Sequence, residues 1–367
     1  MDPKPKSALD CDLPAISNFA HDGRPSLWNK YFTIGSSGRF RMKPRTPHKG
    51  ALAALRSACT TLLIMIATLT AIEIALRVTD LRILREGASE RSLTYRYDAD
   101  LGWAPITNSS STITTARTIQ VQHNSLGFRD IELEHDARPA MLFVGDSFVW
   151  GVDAEAGERF TDLLRSRNSN FRIVNAGVSG YGTDQEYLLL QRIWPTIQPA
   201  VVVLIFCAAN DRLDNGTNVR YDGYQKPYFA PALDGRLVLR GQPVPTSRQL
   251  YIKQNWLVKH LWLARFVAFA YVEIRYPQLF VPDSTEKLVS KIHEFVVAHG
   301  AKLAVGLQLW DDKLVQYLEA ERIPFVAFDA AEAYSDRYGA HWTPEGHKLV
   351  AKRLSELLFD NNIAVDP

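Results

Sequence analysis

Ser147 stands just past the apolar run Ala140-Met141-Leu142-Phe143-Val144, on a turn that Gly145-Asp146 makes possible. A serine alcohol is a weak nucleophile until a base takes its proton during attack. Of the nine histidines, His341 is best placed to be that base. It precedes Thr343-Pro344-Glu345, which reads as an N-cap, a first-turn proline and an acid at the positive end of the last helix. His21, His48, His123 and His135 come before the sheet, and His293 and His299 fall on a helix away from the strand ends. His260 belongs to an insertion, and His347 lies inside the last helix, where packing or capping suits it better. Attack on an acyl carbon makes an oxyanion, which needs preorganised donors. The backbone N–H of Ser147, the backbone N–H of Gly180 and the side-chain amide of Asn210 are on offer, and losing one such donor typically costs ~2.7–4 kcal/mol in the transition state. Gly180 beside Tyr181-Gly182, and Asn210-Asp211 after a strand, also suit ordinary turn chemistry.

These residues need a scaffold that gathers them at one edge. From residue 140 the chain alternates strand and helix. Strands are expected at Ala140–Val144, Arg172–Asn175, Ala200–Cys207, Lys302–Leu307 and Pro324–Phe328, and helices at Arg159–Arg167, Asp184–Trp194, Thr285–His299, Asp311–Glu321 and Pro344–Phe359. Near-continuous Val/Ile/Leu strands separated by helices predict an α/β fold with a parallel sheet covered on both faces. Ser147, Gly180 and Asn210 each follow a predicted strand, where such a sheet builds its site. Residues 212–284 form an insertion. Its first half, rich in Tyr, Pro and Gly, suits a lid or substrate loop. Its second half, Trp256 to Tyr271, is strongly apolar yet contains Lys259, His260 and Arg265, and suits a helix packed on the domain or resting on a bilayer surface.

The composition is that of a globular protein of 367 residues, and a net charge of +2 implies no field strong enough for nucleic acid. Cys11, Cys59 and Cys207 are too scattered for a disulfide framework or a zinc site. Ser57 to Ile72 carries no charge, and Glu73 is the only charged residue before Arg77. About 20 residues span a bilayer. The segment is therefore expected to be a transmembrane helix over residues 51–77, the alternative being a buried core helix. It starts too late for an ordinary signal peptide. Residues 36–56 hold six Lys/Arg and no acid, and residues 77–96 hold five with acids mixed in, so charge permits an inside N-terminus without forcing it. Residues 1–50 read as a disordered basic tail, and residues 78–138 as a connector with extended segments over Thr112–Gln122.

Taken in order, Gly145-Asp146-Ser147, Gly180, Asn210-Asp211 and His341 resemble the four blocks of the SGNH/GDSL hydrolase family. Asp100-Leu101-Gly102-Trp103, Asn124-Ser125-Leu126-Gly127-Phe128-Arg129 and Gly145 to Gly151 look like the recurring stretches of its branch with an N-terminal membrane anchor. The resemblance implies a flavodoxin-like three-layer α/β/α domain over residues 139–362, with a five-stranded parallel sheet. It also implies an acyl-ester hydrolase that needs no metal or cofactor, with its domain outside the cytoplasm and associated with cell-surface polysaccharide. The chain departs from the family pattern at Ala208, where a glycine is usual, and at Tyr338, where an aspartate usually orients the histidine. Asp336 is the remaining candidate for that role, provided the loop before His341 curls back. The expected function is a membrane-anchored serine esterase acting on O-acyl, especially acetyl, groups of a glycan or small ester. An O-acyltransferase differs from it only in the acceptor. A catalytically idle glycan-binding subunit, using Tyr221, Tyr224, Tyr228 and Phe229, is the reading of another class.

Overall fold

The computed structural model describes residues 32–34, 40–42, 49–85, 94–133, 137–221, 223–328, 331–335, 340–360 and 363. The expectation of a disordered tail over residues 1–50 falls mostly outside these, as does Asp336. Within the first 68 residues, β1 (Phe32–Ile34) pairs antiparallel with β2 (Phe40–Met42). Helix α1 (Lys49–Thr79) is continuous, slightly longer than expected, and its apolar side chains from Leu62 to Ile72 are exposed. Among the described residues none buries its apolar window, as the core-helix alternative would require, and its length and composition are those of a candidate membrane span.

Residues 69–367 form one compact unit. Two antiparallel pairs come first: β3 (Tyr95–Asp98) with β4 (Gly102–Pro105), and β5 (Ser110–Thr114) with β6 (Thr118–Gln122). The central sheet holds β7 (Ala140–Gly145), β8 (Arg172–Asn175), β9 (Pro199–Phe206), β14 (Lys302–Leu307) and β15 (Phe325–Ala327). All are parallel, in the spatial order β15-β14-β9-β7-β8. Numbered along the chain, that is 2-1-3-4-5, the flavodoxin-like order, whose switch point lies between β7 and β9.

Helices cover both faces because side chains alternate across each strand. Leu142, Val144, Val202 and Leu204 pack against Leu190 and Trp194 of α4 (Thr183–Ile197) and Val289 and Ile292 of α9 (Thr285–Ala298). Met141, Phe143, Val203 and Ile205 pack against Phe160 and Leu164 of α3 (Phe160–Arg167) and Val350 and Leu354 of α11 (Pro344–Ser355). Ser147 opens the single-turn α2 (Ser147–Trp150), Asn210 precedes α5 (Asp211–Asn215), and α10 (Asp312–Ala320) lies between β14 and β15.

The insertion contains two short antiparallel strand pairs: β10 (Val219–Arg220) with β11 (Tyr224–Gln225), and β12 (Tyr228–Pro231) with β13 (Leu237–Arg240). Helices α6 (Arg248–Gln254), α7 (Trp256–His260) and α8 (Trp262–Arg275) follow. The first half is fastened to the domain rather than hinged over it. Lys226 is fully buried, paired with Asp184 of α4, and its Nζ donates to the carbonyls of Asp214 at 2.9 Å and Thr217 at 3.1 Å.

Candidate active site

Ser147 Oγ lies 2.9 Å from His341 Nε2, although 194 positions separate the two residues. Each is held from behind. Asp146 caps α2, its carboxylate accepting the Phe148 N–H at 2.9 Å. Gly145 is obligatory because a Cβ there would meet Val149 Cγ2 at 2.4 Å and the Ile205 carbonyl oxygen at 3.0 Å. On the other side, Trp342 is fully buried among Phe148, Phe160 and Phe328, and its Nε1 donates to the Tyr334 hydroxyl at 3.1 Å. Thr343 caps α11 by accepting the Gly346 N–H at 2.9 Å, so the residue before Trp342 is brought to the serine. The Phe148 ring lies 5.1 Å from that of His341.

The second block sits beside α2. Gly177 permits the approach: a Cβ there would stand 2.3 Å from the Trp150 nitrogen. Asn175 fastens the two loops, its Nδ2 donating to the Val149 carbonyl at 2.7 Å and its Oδ1 accepting the Gly177 N–H at 3.0 Å. Gly180 has φ +83°, in a turn closed by Tyr181 N–H to the Val178 carbonyl at 3.1 Å. That is the position where a type II turn requires glycine. Both Ser147 and Gly180 are buried, and neither backbone N–H has a hydrogen-bond partner among the described residues.

Asn210 differs from the expectation. Its Nδ2 donates to Asp214 Oδ2 at 2.7 Å and Asp211 Oδ1 at 3.3 Å, while the Cys207 thiol donates to its Oδ1. In this arrangement both amide protons serve its own turn and none is left for a substrate oxyanion. The cause is local: Asp211 and Asp214 flank it on the first turn of α5.

Under the serine lies a group of buried carboxyls: Asp146, Asp184, Glu186, Asp211 and Asp214. Burial raises the pKa of Asp146, partly offset by the Phe148 N–H and the His341 ring. Asp214 is pushed up to about 6, again chiefly by burial. Glu186 is raised well above the usual carboxylate range, first by burial and then by Asp211 and Asp146. Neither of its oxygens has a hydrogen-bond partner among the described residues. Burial also pushes the Cys207 thiol up, which keeps it from acting as a thiolate nucleophile. Among the described residues, no group of three or more His, Cys, Asp or Glu could hold a metal ion.

No family model and no curated protein matches this chain. Similar solved structures include TesA, at 15% identity over 60% of this chain and 98% of that one, with a TM-score of 0.37. A psychrotrophic esterase, EstA from Pseudoalteromonas sp., is 13% identical over 61% of this chain and 98% of its own, with a TM-score of 0.36. A GDSL-like lipase from Bacteroides thetaiotaomicron is 13% identical over 63% and 93%, with a TM-score of 0.34. Likeness at this level carries no weight beside the distances in the site.

Several supporting residues were not legible as such from sequence. The Trp103 Nε1 donates to the Ser179 carbonyl at 3.4 Å, the Tyr95 hydroxyl accepts the Ser179 N–H at 3.1 Å, and the Tyr181 hydroxyl donates to the Trp103 carbonyl. Buried Arg129 donates to the carbonyls of Gly151 and Ala154, with its guanidinium 4.6 Å above the Trp150 ring. The connector over residues 78–138 therefore braces both loops of the site. Its Asp100–Trp103 and Asn124–Arg129 stretches were the available signal. Of the aromatic residues considered for sugar binding, Tyr224 and Phe229 are buried, so their faces are not open to a glycan; Tyr221 is exposed.

Proposed function

We propose that this chain is a serine ester hydrolase of SGNH/GDSL type, anchored in a membrane by α1, that cleaves short O-acyl esters of an extracytoplasmic glycan. The observation that carries the hydrolase reading is the 2.9 Å contact between Ser147 Oγ and His341 Nε2. In this reading the serine O–H donates to Nε2, so the neutral imidazole carries its proton on Nδ1. Ser147 Oγ attacks the acyl carbon as His341 takes its proton, and the oxyanion falls between the N–H groups of Ser147 and Gly180. His341 then returns the proton to the leaving alkoxide, which departs as the alcohol. Water, deprotonated by His341, cleaves the acyl-enzyme and frees the acid. A sugar hydroxyl in place of water makes the same site an O-acyltransferase.

Asn210 joins this scheme only if its amide leaves Asp214. Asp336 is the proposed acid behind His341. The extracytoplasmic placement and the acetylated glycan rest on the resemblance of the Asp100–Trp103 and Asn124–Arg129 stretches to the anchored branch. The idle-subunit reading loses support from the burial of Tyr224 and Phe229 and from the Ser147–His341 contact.

Labelling by a serine-reactive fluorophosphonate and hydrolysis of short acyl-nitrophenyl esters test the reading. Wild type is expected to do both, and Ser147→Ala neither. Turnover by Ser147→Ala equal to wild type refutes the assignment. Product analysis with and without added glycan acceptor separates hydrolysis from transfer.

A further inference from the structure

Helix α8 buries one side and leaves a largely apolar strip open on the other, flanked by exposed Arg275 and by Glu273, which pairs with Arg248. Arg265, Phe269 and Val272 face the domain, where Phe269 packs with Leu84, Ile252 and Val258. Opposite them, at positions three and four apart, Phe266, Val267, Tyr271 and Ile274 are open, with Ile274 83% exposed. Trp256 and Leu257 extend the same kind of surface along α7 at 70% and 51% exposure. A helix with one buried face and a second, largely apolar strip left open is expected to bury that strip against protein or lipid.

What covers this face is indicated by what holds the start of α8. The Glu73 carboxylate accepts the Trp262 N–H at 3.0 Å and the Leu263 N–H at 2.7 Å, so a residue of α1 caps α8. Arg77 Nη2 donates to the His260 carbonyl at 2.7 Å. Leu76 packs with the same cluster as Phe269, and Arg265 donates to the Leu84 carbonyl. The charge-free run of α1 ends at Ile72, one residue before the cap. The place where α1 leaves the hydrocarbon is thus hydrogen-bonded to the first turn of α8. Lys259, Arg275, Arg77 and Arg82 lie in these same segments, and long basic side chains of this kind can reach lipid headgroups.

We infer that α7 and α8 form an interfacial element, with the Phe266, Val267 and Ile274 face seated in the same bilayer surface from which α1 emerges. The inference rests on α1 spanning that bilayer. An amphipathic helix so placed sinks its apolar side to the headgroup–acyl boundary. A single helix leaves a domain free to swing, and this second contact would fix the orientation of the unit on the membrane.

The test uses the full chain in phospholipid vesicles, with Cys11→Ser and Cys59→Ser as background, since buried Cys207 does not compete for label. An environment-sensitive fluorophore is placed by Val267→Cys, Ile274→Cys, Ile64→Cys in the span, or Glu319→Cys on exposed α10. Lipid carrying a nitroxide on the upper acyl chain is the quencher. Labels at 267 and 274 are expected to lose most of their emission, and the label at 319 to keep it. If 267 and 274 behave like 319 while 64 is quenched, the span stands and the inference falls. If 64 is unquenched as well, both fall; if 267 and 274 alone are quenched, the span fails and the inference that rests on it falls too. Blue-shifted emission at 267 and 274 without lipid quenching means that a protein, a second copy included, covers the face, which also overturns the inference.

Discussion

Replacing Glu186 by glutamine should stabilise the protein at neutral pH, although the substitution removes a fully buried side chain's native group. Glu186 is 0% exposed, and both its oxygens lack hydrogen-bond partners among the described residues. Burial and the like charges of Asp211, Asp146, Asp184 and Asp214 raise its pKa well above 4.5. The folded chain therefore holds this proton at pH values where the unfolded chain has lost it. Folding takes up a proton, and stability falls as pH rises above 4.5 until the folded group itself ionises. Between 4.5 and neutrality lie about 2.5 pH units at ~1.4 kcal/mol each, which sets a ceiling of about 3.5 kcal/mol at pH 7. Glutamine has the same shape as the protonated acid and nothing to titrate. Glu186→Gln should gain up to that amount at pH 7 and close to nothing near the unfolded pKa. The gain will fall below the ceiling because Asp146 and Asp211 share the same repulsion. At ~2–4 °C per kcal/mol, thermal unfolding of the full chain in detergent should show a rise in Tm of several degrees near pH 7. It should shrink to nothing near pH 4.5, the group's unfolded value. A variant less stable than wild type at pH 7, with a parallel pH profile, would mean the native group is ionised and paired, and the reasoning would fail.

Three further outcomes are expected. Asn210→Ala should lower kcat by ~10²–10³ if its amide swings to the oxyanion, and leave kcat nearly unchanged if it stays on Asp214, as ester-hydrolysis kinetics will show. Gly177→Ala should destabilise by about 3 kcal/mol or more and displace α2, because the new Cβ would stand 2.3 Å from backbone nitrogen; denaturant unfolding together with fluorophosphonate labelling reads both effects. His347 is held neutral by burial, its pKa lowered from 6.5 to about 3. Only the unfolded chain takes up this proton between those values, so wild-type stability should fall through this group as pH drops from 6.5 toward 3. His347→Asn, measured by unfolding against pH, should lose one proton's worth of that slope; an unchanged slope contradicts the assignment.

The sheet could be read from sequence because its strands are short, continuous apolar runs, and β8 and β14 have the expected limits. The pairing of Ser147 with His341 was legible through the cap and proline that start α11. The Asn210 amide was not, because its direction depends on Asp211 and Asp214, which compete for the same protons. Strands β3 and β4 were missed: Tyr95–Asp98 and Gly102–Pro105 are four residues each and lack a clean period of two. Their importance lies in packing, since Gly102 is so close to the insertion that a Cβ would stand 2.2 Å from the Gln225 carbonyl oxygen. The fastening of the insertion by Lys226 was equally hidden, because a lysine in a polar, Tyr-rich stretch reads as a solvated charge until its buried partner is seen.

The bracing by Tyr95, Trp103 and Arg129 decides where this polypeptide can be cut. A soluble version begun at residue 139, where the sequence resemblance starts its domain, would discard the side chains that pin Ser179 and the carbonyls of Gly151 and Ala154. Any junction to a foreign leader or tag has to lie upstream of Tyr95. Helix α1 and the sheet domain are thus not interchangeable modules joined by a spacer; the stretch between them belongs to the structure that holds Ser179 and Gly151 in place.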